Sequence, residues 1–70
     1  MTEIRAEISG SVWKVTAAVG DQVTEGQTIA ILESMKMEIP VESPVSGTLA
    51  ELRVAPEDRV AEGEIIAVVR

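Results

Sequence analysis

The chain has 70 residues, and its twelve acidic and six basic side chains give a formal net charge of −6, which disfavours binding to a phosphate backbone. At this length we expect one domain over residues 1–70 with a small core of Val, Ile, Leu and Ala, because Trp13 is the only aromatic residue. Cysteine, histidine and tyrosine are absent. This composition excludes thiolate and imidazole metal sites and argues against an autonomous enzyme, which would lack the usual general base.

The first half of the chain predicts short β-strands. Residues 3–8 alternate between charged and aliphatic side chains, which is the period of a half-buried strand. Residues 11–17 and 28–33 are rich in β-branched side chains and too short for helices, and a short strand at Val23 lies between them. Gly26 is expected to take the positive φ of a tight turn.

The second half of the chain predicts the same elements again. Residues 38–42 alternate between polar and aliphatic side chains, and residues 48–54 and 65–69 have strand composition. A short strand at Val60 and a turn at Gly63 complete the half. We therefore expect eight short strands and no helix.

The two halves are an internal repeat. Shifting the chain by 37 positions aligns residues 8–33 with residues 45–70 without a gap, and most apolar positions that differ are conservative exchanges. Nine aligned pairs are identical: Ser9/Ser46, Gly10/Gly47, Ala18/Ala55, Asp21/Asp58, Val23/Val60, Glu25/Glu62, Gly26/Gly63, Ile29/Ile66 and Ala30/Ala67. The duplication and the strand count together predict a flattened β-barrel of two four-stranded sheets related by a quasi two-fold axis.

The connector between the halves contains a lysine flanked by methionines. If one strand ends at Glu33 and the next starts near Met37, Met35-Lys36 forms a two-residue hairpin turn, although neither residue is the Gly, Asn or Asp that such turns favour. A departure from turn chemistry often has a functional reason. The two-fold axis should place Lys36 at the opposite end of the domain from the termini, exposed and open to modification.

The sequence also gives expectations for the charged residues around Lys36, for the second lysine and for the tryptophan. Glu33, Glu38 and Glu42 are expected around the tip, as solubilising groups or as a complement to a basic modifying enzyme. Lys14 is expected to be a solvated strand residue. Trp13 is expected to pack at the edge of the barrel, with contact to a partner as the weaker alternative.

The motifs of the connector resemble those of a known family. Glu33-Ser34-Met35-Lys36-Met37-Glu38, followed by Ser43-Pro44-Val45-Ser46-Gly47, is similar to the biotinyl domain of biotin carboxyl carrier proteins. The resemblance covers nearly the whole chain and implies a barrel-sandwich fold. It implies that Lys36 carries covalent biotin and that Met35 and Met37 are its flanking recognition residues. The gapless repeat leaves no room for the thumb insertion of some bacterial carriers.

The resemblance also implies partners. Biotin protein ligase would attach biotin to the lysine, and the carrier would then move a carboxyl group from a biotin carboxylase to a carboxyltransferase, with an acyl-CoA as an expected acceptor. The chain itself would catalyse nothing and would be a monomer in isolation. The acceptor, and whether the chain acts alone or as a domain of a longer carboxylase, stay open at this point.

Three alternatives compete with the biotin carrier. A lipoyl carrier shares the fold, but the resemblance to biotinyl domains is closer because lipoyl domains typically have Asp-Lys-Ala at the tip. An unmodified interaction module would make Lys36 dispensable. An enzyme that uses Glu57 and Asp58 as paired acids is disfavoured because adjacent side chains in a strand point in opposite directions and these two lie in a predicted turn.

The sequence also gives expectations about location. No long apolar run or leader pattern occurs, so neither a membrane span nor a signal peptide is expected. The absence of cysteine is typical of a reducing compartment, and we expect a cytoplasmic protein.

Overall fold

A computed structural model describes the whole chain, Met1–Arg70, and contains eight β-strands and no helix. The strands are β1 (Thr2–Arg5), β2 (Gly10–Val15), β3 (Gln22–Val23), β4 (Thr28–Ser34), β5 (Met37–Glu42), β6 (Gly47–Leu52), β7 (Arg59–Val60) and β8 (Ile65–Val69). The predicted all-β class and the predicted number of strands are confirmed.

The strands form two antiparallel sheets that face each other. One sheet has the order β1-β8-β6-β3 and the other has the order β5-β4-β2-β7. A shift of 37 residues converts one order into the other, since β1 corresponds to β5, β2 to β6, β3 to β7 and β4 to β8. The expected flattened barrel-sandwich with quasi two-fold symmetry is confirmed, and the two sheets do not close into a continuous barrel.

The core between the sheets is entirely aliphatic. It contains 15 buried residues, and the largest fully buried ones include Ile29, Leu49, Ile66 and Val12. Ile29 is equivalent to Ile66 in the repeat, and Val12 is equivalent to Leu49. Each such side chain contributes about 1.5–3 kcal/mol when fully buried. The core is therefore built twice from the same positions.

Two long strands end earlier than the sequence predicts. The stretches predicted at residues 11–17 and 48–54 stop at Val15 and Leu52, which are equivalent in the repeat. The cause is a carboxylate-stabilised turn after each strand, in which the Asp21 side chain accepts a hydrogen bond from the Ala18 N–H at 2.9 Å. The second half repeats this bond with equivalent residues, also at 2.9 Å. Side-chain acceptors of this kind compete with strand pairing.

The first strand is also shorter than the alternating pattern suggests. β1 ends at Arg5, although Ala6 continues the buried face and its N–H donates to the Glu64 carbonyl at 2.9 Å. Ile8 lies outside the strand and is half-buried. The sequence pattern thus identifies the inward-facing residues more accurately than the end of the strand.

Each half contributes a serine to the other half. The Ser46 hydroxyl accepts a hydrogen bond from the Glu25 N–H at 3.0 Å, and the Ser9 hydroxyl accepts one from the Glu62 N–H at 3.1 Å. The glycines that follow both glutamates have positive φ, 86° at Gly26 and 88° at Gly63, as predicted. Each of these bonds joins a tight turn of one half to the residue that precedes a strand of the other half, β6 or β2.

Two other glycines are required by close packing of strands. A Cβ atom added to Gly10 would lie 2.6 Å from the Glu33 carbonyl oxygen and 3.3 Å from Ser34 Cβ. Gly47, the equivalent residue, would place a Cβ atom against the Arg70 carbonyl oxygen. Both strands therefore approach their neighbours more closely than any side chain allows.

One turn breaks the internal symmetry. Glu57 has a φ of 77°, whereas the equivalent residue of the first half is Gly20, with a φ of 96°. The left-handed region costs a non-glycine residue about 1–2 kcal/mol. The second half therefore contains a strained glutamate where the first half has an unstrained glycine.

The strain at Glu57 predicts that Glu57→Gly stabilises the domain. We expect the free energy of unfolding to rise by about 0.5–1 kcal/mol, because relief of the left-handed strain exceeds the added chain entropy of glycine. The reciprocal variant Gly20→Glu should lower it. Denaturant melts of both variants test this, and equal stability of Glu57→Gly and the parent chain would contradict it.

The close approach at Gly10 predicts a larger loss for Gly10→Ala than for Gly63→Ala. The first variant forces a methyl group onto the Glu33 carbonyl and should cost about 1–3 kcal/mol. The second has open space around the added atom and only the cost of positive φ, about 1 kcal/mol. The comparison needs urea midpoints for both, and the reverse order would show that the strand spacing is wrong.

Candidate functional site at the β4–β5 hairpin

The candidate site is the apex of the hairpin formed by β4 and β5. Ser34 pairs with Met37 in the ladder, so Met35 and Lys36 are the only residues of the turn, as predicted. Both have positive φ, 52° at Met35 and 64° at Lys36. These are the signs that a two-residue type I′ turn requires, and Asn-Gly or Asp-Gly is the usual sequence there.

The backbone at the apex is therefore strained. Three non-glycine residues of the chain have positive φ, and two of them are adjacent at this turn. Each costs about 1–2 kcal/mol relative to the right-handed conformation. Neither residue recovers this cost by packing, since Met35 is 92% exposed and Lys36 is also exposed. Stability alone does not explain the choice of these residues.

The Lys36 amine has no partner within the chain. Both ion pairs of the domain are elsewhere, between Arg5 and Glu3 and between Arg53 and Glu51. No side-chain hydrogen bond of Lys36 occurs either. The apex thus presents a primary amine on a flexible stem, open to an enzyme that acylates it.

Two thioethers flank this amine in the open. Met37 is 62% exposed, so it lies in solvent together with Met35. Exposed methionines are unusual because the side chain is apolar and adapts readily to buried sites. The structure therefore brings together the three residues that the sequence analysis selected, with none of them used by the core.

Carboxylates lie directly behind the apex. Glu33 and Glu38 are opposite each other in the ladder, one residue pair below Ser34 and Met37, and neither forms an ion pair. Like charges directly opposite are destabilising in a sheet. The expectation that Glu42 also surrounds the tip is wrong, because the register pairs it with Thr28 at the far end of the hairpin.

The structure separates the two lysines. Lys14 is exposed within β2, as expected, and its Nζ atom lies 6.0 Å from the centre of the Trp13 ring. Trp13 does not pack at the edge of the barrel. It is 49% exposed on β2, which lies inside the sheet between β4 and β7.

The position of Trp13 follows from a bulge that the sequence analysis missed. Val12 pairs with Leu32 and Lys14 pairs with Ile31, which leaves Trp13 without a partner in the ladder. A bulge redirects side chains in this way. The equivalent residue Ala50 is skipped in the β6–β8 ladder, so both halves have the bulge although the residue at it differs.

A pocket of about 450 Å³ lies elsewhere, between the edge strands β1 and β5. Its lining includes the carboxylates of Glu3, Glu7, Glu25 and Glu42, and the one cation, Arg5, already bonds Glu3 and the Gly63 carbonyl. No group of three or more potential metal ligands occurs in the chain. The chain also has no helix that could cross a membrane.

Curated relatives match slightly more than half of this sequence. The biotin/lipoyl attachment protein of Bacillus subtilis is 53% identical over 38 residues, which are 54% of this chain and 52% of that protein. A biotinylated protein TB7.3 homolog of Mycolicibacterium smegmatis is 59% identical over 39 residues, 56% of this chain and 55% of that protein. The chain spans about half the length of the curated relatives it matches.

Solved structures share the whole fold. A crystal structure of the Kluyveromyces lactis urea carboxylase matches 99% of this chain with a TM-score of 0.93 and 35% identity, using 6% of that protein. A single-chain, multi-domain long-chain acyl-CoA carboxylase matches 94% of this chain with a TM-score of 0.88 and 27% identity, again using 6% of that protein. The fold found here is thus a small part of two much larger carboxylases.

The family assignment rests on the full length of the domain. The family model described as "Biotin-requiring enzyme" matches residues 2–69, which include all eight strands and the hairpin apex. The quasi two-fold sandwich and the exposed lysine turn agree with this match. The chain belongs to the biotin/lipoyl attachment domain family.

Proposed function

We propose that the chain is a biotin carboxyl carrier and that biotin is attached to Lys36. The observation that carries the proposal is the apex itself, where an unpartnered amine lies on a strained two-residue turn that contributes no packing. The family and its relatives named for biotin support the cofactor. A second lysine, Lys14, lies within a strand beside Trp13 and has no comparable setting.

The residues at the apex fit a covalently attached biotin. An amide bond to biotin needs an exposed primary amine, and burial of the modified side chain is not required. Lys36 meets this requirement, and the exposed Met35 and Met37 offer apolar recognition contacts on both sides of it. Attached biotin supplies a ring that can accept and release a carboxyl group.

Attachment requires chemistry that the chain does not supply. Acylation of an amine uses the nitrogen lone pair and releases a proton, so a biotin protein ligase must accept that proton as the Lys36 Nζ atom attacks the carbonyl carbon of biotinyl-AMP. The new amide bond forms as the bond to AMP breaks, and AMP leaves. The domain contributes a fixed presentation of the amine and has no histidine to act as a general base.

The partners follow from this role. A biotin carboxylase and a carboxyltransferase would each receive the arm on Lys36, and tethering raises the local concentration at both sites without a tight complex. We propose an acyl-CoA as the acceptor. One structural neighbour is an acyl-CoA carboxylase and another is a urea carboxylase, so assays with both acceptors are needed. A monomeric, cytoplasmic carrier is part of the same proposal.

The central prediction concerns the mass of the ligated protein. Incubation with biotin, ATP and a biotin protein ligase should add one biotinyl group, located on the Lys36 peptide after digestion. Lys36→Ala should remove all incorporation, and Lys36→Arg should do the same while keeping the positive charge. Lys14→Ala is the matched control and should be labelled like the parent chain.

Three outcomes would count against this assignment. Labelling of Lys36→Ala at Lys14 would move the site. Modification of Lys36 by a lipoate ligase alone would make the chain a lipoyl carrier. Failure of both ligases on a folded parent chain would leave an unmodified interaction module.

The strained turn gives a second prediction. Replacing Met35-Lys36 with Asn-Gly should raise the free energy of unfolding by about 1–2 kcal/mol, because both residues then suit a type I′ turn. The same variant should accept no biotin. Thermal melts and intact mass together test this, and a variant no more stable than the parent would show that the apex is not strained.

A further inference from the structure

The internal repeat allows the outer faces of the two sheets to be compared position by position. In the sheet with the apex, one row across three strands contains Pro40, Ile31 and Lys14. In the other sheet the equivalent row contains Glu3, Val68 and Glu51. Symmetric folding would place similar residues in both rows, but their chemistry is different.

The other sheet has a covered outer face. Val68 is only 5% exposed although it is not part of the core cluster. Its two neighbours in the row, Glu3 and Glu51, each form an ion pair, with Arg5 at 2.8 Å and Arg53 at 3.0 Å. In this row the one aliphatic side chain, Val68, lies between two solvated glutamates, Glu3 and Glu51.

The sheet with the apex has an open outer face. Ile31 points away from the core, because its neighbours Ala30 and Leu32 are both buried in it, and it remains half-buried without an ion pair on either side. Pro40 is exposed beside it, and Trp13 is 49% exposed at the bulge. Trp13, Ile31 and Pro40 are called the Trp13 patch below.

The Trp13 patch is continuous with the apex. Ile31 lies three residues before Ser34 on β4, so the patch begins about 10 Å from the turn along the strand. Between them lie Glu33 and Glu38, opposed and without an ion pair. A surface that covers this face therefore meets an aromatic and aliphatic centre, with the Lys14 amine 6.0 Å from the centre of the Trp13 ring and two carboxylates without an ion pair on the side of the apex.

We propose that the Trp13 patch is the docking surface for the enzyme that acylates Lys36, through an apolar hollow edged by basic residues. This inference rests on the proposed function. An unmodified lysine is a short arm, so the acylating enzyme must contact the hairpin itself, and the sheet that contains this hairpin is the one with the open face. Exposed tryptophan is typical of such contacts, and the paired carboxylates complement basic residues of the enzyme.

The experiment measures steady-state biotinylation of the full chain against carrier concentration. Trp13→Ala should raise the KM for the carrier about tenfold and leave kcat unchanged, since Trp13 does not touch the reacting amine. Its melting temperature should stay close to that of the parent because the side chain is outside the core. A structural role for Trp13 would lower the melting temperature instead.

Matched variants use the internal symmetry. Trp13→Ala combined with Ala50→Trp keeps the composition but moves the indole to the other sheet, and the KM should remain raised. Pro40→Glu, which introduces the glutamate of the equivalent row, should also raise the KM. Glu51→Ala, on the opposite sheet, should have no effect on it.

The outcomes separate this inference from the proposed function. A parent chain that takes up no biotin would contradict the carrier role itself. A parent chain that is biotinylated with an unchanged KM for Trp13→Ala would overturn the docking surface alone. Normal ligation of Trp13→Ala followed by slower carboxylation of its biotin would assign the patch to the carboxylase and equally overturn the proposal.

Discussion

The structure depends on an exchange of strands between its two halves. Each sheet takes two strands from each half: β1 and β3 of the first half join β8 and β6 of the second, and β5 and β7 of the second half join β4 and β2 of the first. Ser9 and Ser46 add a hydrogen bond in each direction across this exchange. Neither half can bury its aliphatic face alone, so the 15-residue core exists only when both are present. A chain this short gains a usable interior in this way without disulfides or aromatic packing.

The same symmetry makes its exceptions informative. Where both halves need the same physical property they keep the same residue, as in the paired glycines whose added Cβ atoms would meet a neighbouring carbonyl oxygen. Most apolar differences are conservative exchanges within the core, such as Val12 and Leu49, but a few differences at exposed positions have no role in packing. The strained pair Met35-Lys36 is at the position that corresponds to the chain ends, and Trp13 is at a bulge that has alanine in the other half. These two exceptions lie on the same sheet, whereas the strained Glu57 lies in a turn outside the strands.

Most of the fold could be predicted because the repeat constrained it. Equivalent apolar positions identified the core, and the glycine turns at Gly26 and Gly63 followed from simple chain geometry. Strand ends were less predictable, because aspartate side chains such as Asp21 end β2 and β6 through local hydrogen bonds that an apolar pattern does not register. The residue types singled out the candidate site, and the exposed two-residue turn that the sequence predicted for Met35-Lys36 is present in the structure. The far position of Glu42 followed from the predicted two-residue turn, which fixes the register of the hairpin, but the expectation did not apply that register. The position of Trp13 could not be predicted, since it depends on a bulge in the pairing of β2 with β4.

The two-residue apex has a consequence for how such a carrier explores space. Ser34 and Met37 pair directly on either side of the two-residue turn, which restricts the backbone of the turn. The Cα atom of Lys36 is therefore nearly stationary relative to the domain. If Lys36 carries biotin as proposed, the volume that the arm can reach is a limited cap above the hairpin, with a radius set by the lysine side chain and the attached biotin. Reaching two catalytic centres farther apart than that cap requires the whole body, with extents of 31 × 18 × 17 Å, to travel between them. Transport over long distances is thus a property of what the domain is joined to or diffuses through, and the hairpin determines only the final approach.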